Sequence, residues 1–75
     1  MKIVVKLIGP LIYEAGFSEK ELELADGASV DGLLDLIALT KSRPKVVTRN
    51  GLAVAPGEPL EEGDRIAVAP LYSGG

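Results

Sequence analysis

The stretch that decides the fold is LEEGDRIAVAPLYSGG, residues 60–75. Within it, residues 65–69, an arginine followed by four apolar residues, predict a strand. Pro70 ends this run because proline has no N–H to donate to a sheet. The Leu-x-x-Gly-Asp segment before the strand predicts a tight turn that places Leu60 in the core. A short tail follows Pro70 and finishes on two glycines. The stretch therefore predicts a last strand that carries an extended C-terminal tail.

Four further strands are predicted upstream. Residues 2–8 are mostly β-branched, and residues 19–24 alternate glutamate with leucine as a half-buried strand does. Asn50-Gly51 predicts a type I′ hairpin, because both turn positions need a positive φ. The four strands are residues 2–8, 19–24, 45–49 and 52–54. Residues 11–17 are predicted to form a loop with Gly16 as its pivot.

One amphipathic helix is predicted between the second and third strands. Ser29 is a good N-cap, since its hydroxyl can accept a hydrogen bond from a free amide of the first turn. Apolar residues recur at helical spacing, and Leu36 widens their stripe. These residues are Val30, Leu33, Leu34 and Ile37. Because the residue before a proline avoids the helical region, we expect the helix to end near Lys41, before Arg43-Pro44.

These elements predict an α+β fold with the order ββαβββ or ββαββ. One main helix, at about residues 29–41, can cover one face of a mixed four- to five-stranded sheet. If the first and last strands pair, they run parallel, which is the ubiquitin-like β-grasp arrangement. We therefore predict a β-grasp domain at residues 1–70 and a flexible C-terminal diglycine tail at residues 71–75.

The composition limits the functions that the chain can support. Its 75 residues suit one domain, and a hydrophobic fraction of 47% is enough for one core. The chain has no histidine and no cysteine, so the usual general base, thiolate nucleophile and zinc ligands are missing. We therefore expect no bound metal or cofactor and no catalytic activity of its own, with an enzyme built from carboxylates and lysines alone as the weaker alternative.

Charge and hydropathy argue against two classes of partner. The formal net charge is −3, whereas nucleic-acid-binding proteins usually show a basic stripe. No stretch approaches the ~20 apolar residues of a membrane span. The apolar run at the N-terminus is interrupted by Lys6 too soon for a secretory signal. We expect a cytoplasmic protein with no nucleic-acid partner and no membrane partner.

The sheet face away from the predicted helix is a candidate docking surface. Alternation on the last strand turns Ala67 and Ala69 to this face, and Val4 and Ile8 of the first strand lie nearby. No second helix is predicted to cover them, and exposed apolar patches often mark interfaces. We interpret the face as a surface for partner docking, with self-association or ordinary half-exposed strands as alternatives.

Acidic side chains are predicted to form a solvated surface, with steering toward a basic partner as the alternative role. They are Glu19, Glu21, Glu23, Glu61, Glu62 and Asp64.

Several short motifs follow one another along nearly the whole chain. They are Ile8-Gly9-Pro10-Leu11, the Asn50-Gly51 hairpin, the Leu60 to Asp64 turn and the terminal Gly74-Gly75. Their order and spacing resemble the small sulfur-carrier proteins of the β-grasp class. This family includes the small subunit of molybdopterin synthase and the thiamine-biosynthesis sulfur carrier.

The resemblance implies that the working group is the C-terminal carboxylate of Gly75. An E1-like adenylating enzyme would join it to AMP, using ATP and Mg²⁺ that belong to the enzyme. A sulfur donor protein would then convert the adenylate to a thiocarboxylate, and a downstream synthase subunit would use that sulfur in cofactor biosynthesis. The chain itself would be a protein co-substrate, or at most the non-catalytic small subunit of a synthase.

The tail residues that partners would bind are Leu71, Tyr72, Ser73 and Gly74. About four extended residues past Pro70 span roughly 13 Å, enough to enter a pocket while the sheet stays outside. Tyr72 is interpreted as an anchor in a partner's groove or, alternatively, as a tyrosine that packs on its own domain.

The pathway and two other functions stay open. The compact middle of the chain is more similar to the thiamine carrier, while the beginning and the tail are more similar to the molybdopterin subunit, which is slightly favoured. The same activated tail could instead be conjugated to lysines, as in ubiquitin-like modifiers. In the third alternative the chain is a non-catalytic interaction domain whose tail does nothing.

Overall fold

The computed structural model describes residues 1–39 and 45–71, which form five strands and two helices. In chain order these are β1 (Lys2–Leu7), α1 (Leu11–Ala15), β2 (Glu19–Glu23), α2 (Val30–Leu36), β3 (Lys45–Arg49), β4 (Leu52–Ala53) and β5 (Arg65–Pro70). All five predicted strands are present. Apart from Leu71, the predicted tail lies outside the described residues, so the division of the chain at residue 70 stays a prediction.

The strands form one mixed sheet in the order β2-β1-β5-β3-β4. β5 is the middle strand, and β1 runs parallel beside it with Val5 opposite Ile66. The pairs β1–β2, β3–β5 and β3–β4 are antiparallel. This is the ubiquitin-like β-grasp arrangement, so the predicted α+β fold class is confirmed.

The core lies on one side of this sheet. Because side chains alternate along a strand, β1 and β5 each bury every second residue. The core is aliphatic, as expected for a sequence with one phenylalanine and no tryptophan. Its largest fully buried side chains are Ile3, Val5, Leu11, Val30, Leu33, Leu39, Ile66 and Val68. Leu60 is also buried, which confirms the prediction for the turn before β5.

Helix α2 begins where predicted but ends earlier. The Ser29 hydroxyl accepts a hydrogen bond from the Gly32 N–H at 3.3 Å, which confirms Ser29 as the N-cap. The helix ends at Leu36, and Ala38 beyond it has a left-handed φ of 63°. The prediction of a helix reaching to about residue 41 was therefore wrong.

The end of α2 is a Schellman motif with an alanine where glycine is usual. The Leu39 N–H donates to the Leu34 carbonyl at 2.9 Å, and the Ala38 N–H donates to the Asp35 carbonyl at 3.1 Å. Leu39 is fully buried, so the apolar pattern continues past the end of the helix. Leu36, which was expected to widen the buried stripe, is instead 59% exposed.

The segment predicted as a loop at residues 11–17 contains the short helix α1, so that prediction was wrong. Pro10 precedes the helix with a φ of −63°, and Gly16 ends it with a φ of 89°. Leu11 is completely buried and ties the helix to the core. A helix of five residues shows too little periodicity for the sequence to distinguish it from a loop.

Candidate functional site

Strand β5 is the element that leads into the predicted tail. It is held on one side by β1 and on the other by β3. Its last residue, Pro70, is buried opposite Lys45, whereas Leu71 is 59% exposed. The chain therefore leaves the sheet at this point. The other predicted tail residues, Tyr72, Ser73, Gly74 and Gly75, lie outside the described residues, and their roles stay predictions.

The four predicted docking residues lie together on the sheet face opposite the core, which we call the open face. Val4, Ala67 and Ala69 alternate with buried residues of β1 and β5 and are partly exposed. Ile8 continues the alternation just past β1 and is 45% exposed. Its N–H donates to the Val68 carbonyl at 3.0 Å, which holds this segment against β5. Their placement fits a docking surface, although their role as one stays a prediction.

Strand β3 adds two residues to the open face that the sequence analysis did not name. Val46 lies opposite Ala69, and Thr48 lies opposite Ala67. Val46 is 39% exposed, while the next residue, Val47, is buried. Two adjacent valines give no sign of which one faces the core, because that choice depends on the register with β5.

The open face is apolar near the start of the tail and charged farther from it. Val46 and Ala69 pair next to the end of β5. Arg65 lies at the other end of β5, where it and Lys6 border a shallow depression of about 420 Å³. A partner that docks near the tail would therefore meet apolar side chains first.

A buried polar network fixes the start of β5. The Asp64 side chain is buried and accepts hydrogen bonds from Asn50 Nδ2 at 3.0 Å and from the Glu61 N–H at 2.7 Å. Asn50 Oδ1 accepts from the Arg65 N–H at 2.9 Å, and the Asn50 N–H donates to the Arg65 carbonyl at 2.8 Å. Asn50 and Gly51 have φ values of 52° and 89°, which confirms the positive φ predicted at both turn positions.

Arg49 completes the network from the hairpin side. Its Nε lies 3.2 Å from Asp64 Oδ2, and its Nη1 lies 3.4 Å from Glu58 Oε1 and donates to the Pro59 carbonyl at 3.1 Å. The prediction that Asp64 belongs to a solvated acidic surface was therefore wrong. Its carboxylate is buried because it links the Asn-Gly turn to the turn before β5, and sequence alone did not reveal that pairing.

The described geometry provides a binding surface and a route for the tail. In residues 1–39 and 45–71, no group of three or more histidine, cysteine or acidic side chains is placed to hold a metal ion. Neither α1 nor α2 is long and apolar enough to cross a membrane. This geometry is compatible with the predicted docking of a partner along the open face, which stays a prediction.

Comparison with known proteins identifies a family and several solved structures to which this chain is similar. The model of the ThiS family matches residues 5–75. No curated protein matches the chain significantly. Among solved structures, the chain is similar to SAMP1, the small archaeal modifier protein 1, from Haloferax volcanii. The identity is 29% over 100% of both chains, with a TM-score of 0.82.

Two further structures are described as a putative subunit of molybdopterin converting factor and as a complex of two such subunits. The chain is 28% identical to a putative molybdopterin converting factor, subunit 1, from Pyrococcus furiosus, over 96% of this chain and 99% of that one, with a TM-score of 0.84. It shares its fold with a chain from the complex of subunits 1 and 2 of the molybdopterin-converting factor from Helicobacter pylori. That match covers 100% of both chains at 17% identity, with a TM-score of 0.68.

Proposed function

The chain belongs to the ThiS family of β-grasp sulfur carriers, and from that premise we propose that it is a sulfur carrier activated at the C-terminal carboxylate of Gly75. The carboxylate attacks the α-phosphate of ATP and releases pyrophosphate, which leaves an acyl-adenylate on Gly75. Hydrosulfide released by the sulfur donor then attacks the carbonyl carbon, AMP leaves, and loss of a proton leaves the chain ending in a thiocarboxylate. That sulfur is donated in cofactor biosynthesis.

The activation step has a simple chemical reason. A carboxylate is a poor acyl donor because its leaving group would be an oxide, whereas AMP is a good leaving group. The thiocarboxylate sulfur is then a far better nucleophile than a carboxylate oxygen near neutral pH. None of these steps needs histidine, cysteine or a metal ion on the carrier, and the sequence has neither histidine nor cysteine.

The observation that carries the proposal is the placement of β5. This strand is the middle one of the sheet, its start is fixed by the Asp64 network, and its end leads to the exposed Leu71. The apolar part of the open face lies beside that exit, with Ala69 opposite Val46. A partner docked on the open face would therefore receive the tail at a fixed position.

The partners belong to the same proposal. The Helicobacter pylori relative is found in a complex of subunits 1 and 2, which supports a downstream synthase subunit as a partner of this chain. An E1-like adenylating enzyme and a sulfur donor protein would act before it. ATP and Mg²⁺ belong to the adenylating enzyme, and the reactions take place in the cytoplasm.

We favour the molybdopterin pathway slightly over the thiamine pathway. The Pyrococcus furiosus relative is described as a putative molybdopterin converting factor subunit 1 and is 28% identical over nearly the whole chain. The family model bears the name of the ThiS family, so it supports the carrier class without separating the two pathways.

The proposal is tested by intact-mass spectrometry. The full chain is incubated with its cognate activating enzyme, ATP, Mg²⁺ and sodium sulfide. We expect the mass of the chain to change by the exchange of one oxygen for one sulfur. A chain that lacks Gly74 and Gly75 is the matched control and is expected to stay unchanged. If the full chain forms neither an adenylate nor a thiocarboxylate with its cognate enzyme, the carrier proposal fails.

A second candidate function is conjugation to protein lysines through Gly75. The observation that favours it is the 29% identity to SAMP1, the small archaeal modifier protein. Because Arg65 is the last basic residue, trypsin would leave IAVAPLYSGG, residues 66–75, on each modified lysine. A proteomic search for that branch in cells that express the chain tests conjugation, and its absence would exclude it under those conditions.

A further inference from the structure

The free edge of β2 is a second surface that the proposed function does not use. β2 lies at one side of the sheet and pairs with β1. Among the described residues, no other strand pairs with it. An unpaired strand edge presents backbone N–H and C=O groups that another chain can bind as an added strand.

The register identifies which backbone groups point outward. The Leu24 N–H donates to the Met1 carbonyl at 2.7 Å, and the Leu7 N–H donates to the Ser18 carbonyl at 2.7 Å. In an antiparallel pair the hydrogen-bonded positions occur at every second residue. The even-numbered residues of β2 therefore bond to β1, and the N–H and C=O groups of Glu19, Glu21 and Glu23 face the free edge.

A groove lined mainly by apolar residues and by Lys20 lies beside this edge, on the side of the sheet that carries the helices. It has a volume of about 400 Å³ between α1, β2 and the end of α2. Its walls include the apolar side chains of Phe17, Leu22, Leu36 and Ile37. Lys20 also lines it, with Nζ 5.5 Å from the centre of the Phe17 ring. Leu36 is 59% exposed there, although it is a large apolar side chain. Side chains of an added strand that lie beside Lys20 and Leu22 would project into this groove.

Charge identifies the kind of strand that fits. Glu19, Glu21 and Glu23 lie on the opposite side of the sheet from the groove, since Glu21 is opposite Val4. Among the described residues, these three glutamates form no ion pair. Side chains of an added strand on that side would lie next to them. A second copy of β2 fits badly, because its own glutamates would be brought against this acidic row.

We propose that the β2 edge binds an extended segment of a partner protein in which apolar and basic residues alternate. The segment adds a sixth strand to the five-stranded sheet. Its apolar side chains enter the groove formed by Phe17, Leu22 and Leu36, and its basic side chains lie beside Glu19, Glu21 and Glu23. The outward backbone groups of β2 provide the hydrogen bonds, and the alternation provides the specificity.

The probe for the first test is a capped peptide of alternating lysine and valine, titrated into the full ¹⁵N-labelled chain. We expect amide shifts at residues 19–23 and 36–38, and weaker binding as salt is raised. Two control peptides have the same length. One has its lysines and valines in two blocks, and the other alternates glutamate with valine. Both are expected to bind at least about fivefold more weakly.

Two variants separate the backbone contribution from the side-chain contribution. Glu21→Pro removes an outward N–H that the β1–β2 ladder does not use, so an edge strand tolerates it. It should weaken peptide binding at least about tenfold, while Glu21→Gln, which keeps the N–H, should weaken it about fivefold or less. Leu36→Asp places a charge in the groove at an exposed position and should also weaken binding at least about fivefold.

Several results would overturn this inference. They are shifts centred on Val46, Ala67 and Ala69, equal affinity for the glutamate or block peptide, or no binding at millimolar peptide. If the chain forms dimers and the Glu21→Pro substitution abolishes them, a second copy of the chain occupies the edge instead. Deletion of Gly74 and Gly75 should leave the peptide affinity unchanged. The result is therefore independent of whether the tail is activated.

Discussion

The two faces of the β1–β5 pair are built from the same strands and differ in burial and polarity. Toward the helices the strands turn branched residues that are almost completely buried: Ile3, Val5, Leu7, Ile66 and Val68. Toward the open face β5 directs Ala67 and Ala69, which are partly exposed, near the tail exit, and the exposed Arg65 at its start. On this face β1 adds Val4, which lies between the exposed Lys2 and Lys6. The same two strands thus support a filled core on one side and an accessible surface on the other, with small side chains near the tail exit.

Stability and recognition depend on different residues of the same strands: the inward-facing residues stabilise the fold, and the residues between them form the open face. Core packing is dense, so a loss of volume on the buried face leaves a cavity. On the open face a small side chain lets a partner approach the sheet closely, and changes of size there disturb no packed layer. A substitution on the buried face should therefore lower stability, whereas a substitution at the neighbouring position on the open face should affect partner recognition and leave stability nearly unchanged.

The largest effect is expected from Ile66→Ala on the buried face. Loss of a fully buried isoleucine should lower the free energy of unfolding by about 3 kcal/mol. A 75-residue domain has only about 4–11 kcal/mol in total. Equilibrium urea denaturation measures this change. The neighbouring Ala67→Ser is the control and should change stability by at most about 0.5 kcal/mol. Equal losses at both positions would contradict the comparison of the faces.

The next effect is expected from Asp64→Ala at the start of β5. The substitution leaves the Glu61 N–H and the Asn50 amide without their acceptor and should cost about 2 kcal/mol. Thermal or urea unfolding measures it. Glu19→Ala, which removes an exposed carboxylate, is the matched control with a change of at most about 0.5 kcal/mol. An Asp64→Ala protein as stable as the parent would show that the network does not hold β5 in place.

Substitution on the open face should affect partner recognition and leave the fold intact. Ala69→Asp places a charge beside Val46 near the tail exit. It should reduce thiocarboxylate formation by the cognate enzyme at least about tenfold, while stability changes by less than about 1 kcal/mol. Initial rates at low carrier concentration measure this.

The matched control is Ala53→Asp, which introduces the same charge opposite Thr48 at the β4 edge of the same face. It should retain most of the parent rate. A loss at Ala53 as large as that at Ala69 would show that docking is not centred near the tail, and unchanged rates in both would remove the open face as the docking surface.

The smallest effect is expected at the end of α2. Ala38 has a φ of 63°, a conformation that costs residues with a Cβ more than it costs glycine. Ala38→Gly should therefore stabilise the protein by about 0.5 kcal/mol, measured by urea unfolding. Ala55→Gly is the control at an exposed position without a positive φ and should be neutral or slightly destabilising. If Ala38→Gly destabilises the protein, the strain at Ala38 is smaller than the conformational entropy that glycine adds to the unfolded chain.

How far the sequence predicts the structure depends on the range of the interactions involved. The hairpin at Asn50-Gly51 and the cap at Ser29 were predicted correctly because both are local and use residues with special chemistry. The end of α2 was missed because residue 38 has a left-handed backbone conformation but is an alanine. A glycine at this position would have indicated the end of the helix from the sequence. Helix α1 was missed because a single turn carries almost no periodic signal.

The candidate site follows the same rule. Val4, Ala67 and Ala69 could be assigned to one face from alternation alone. Val46 joins them through the register of β3 with β5, and Asp64 meets Asn50 through a contact between two turns that are distant in sequence. Neither contact leaves a recognisable pattern in the sequence near the residues involved. The tail residues 72–75 were proposed from their glycines and from the resemblance, and they lie outside the described part of the chain.

The parallel pairing of β1 with β5 has a consequence for biosynthesis. Val4 lies opposite Arg65, so the middle of the sheet forms from segments at opposite ends of the described chain. Contacts this distant in sequence are slow to form, since the entropy of closing a long loop opposes them. During translation β1 is synthesised first, and it cannot form its parallel pairing until β5 has been synthesised. A chain truncated before Arg65 lacks the middle strand and the β5 half of the open face. Under the proposed function, a partner that docks on the open face would therefore bind the chain only after β5 has formed and paired with β1.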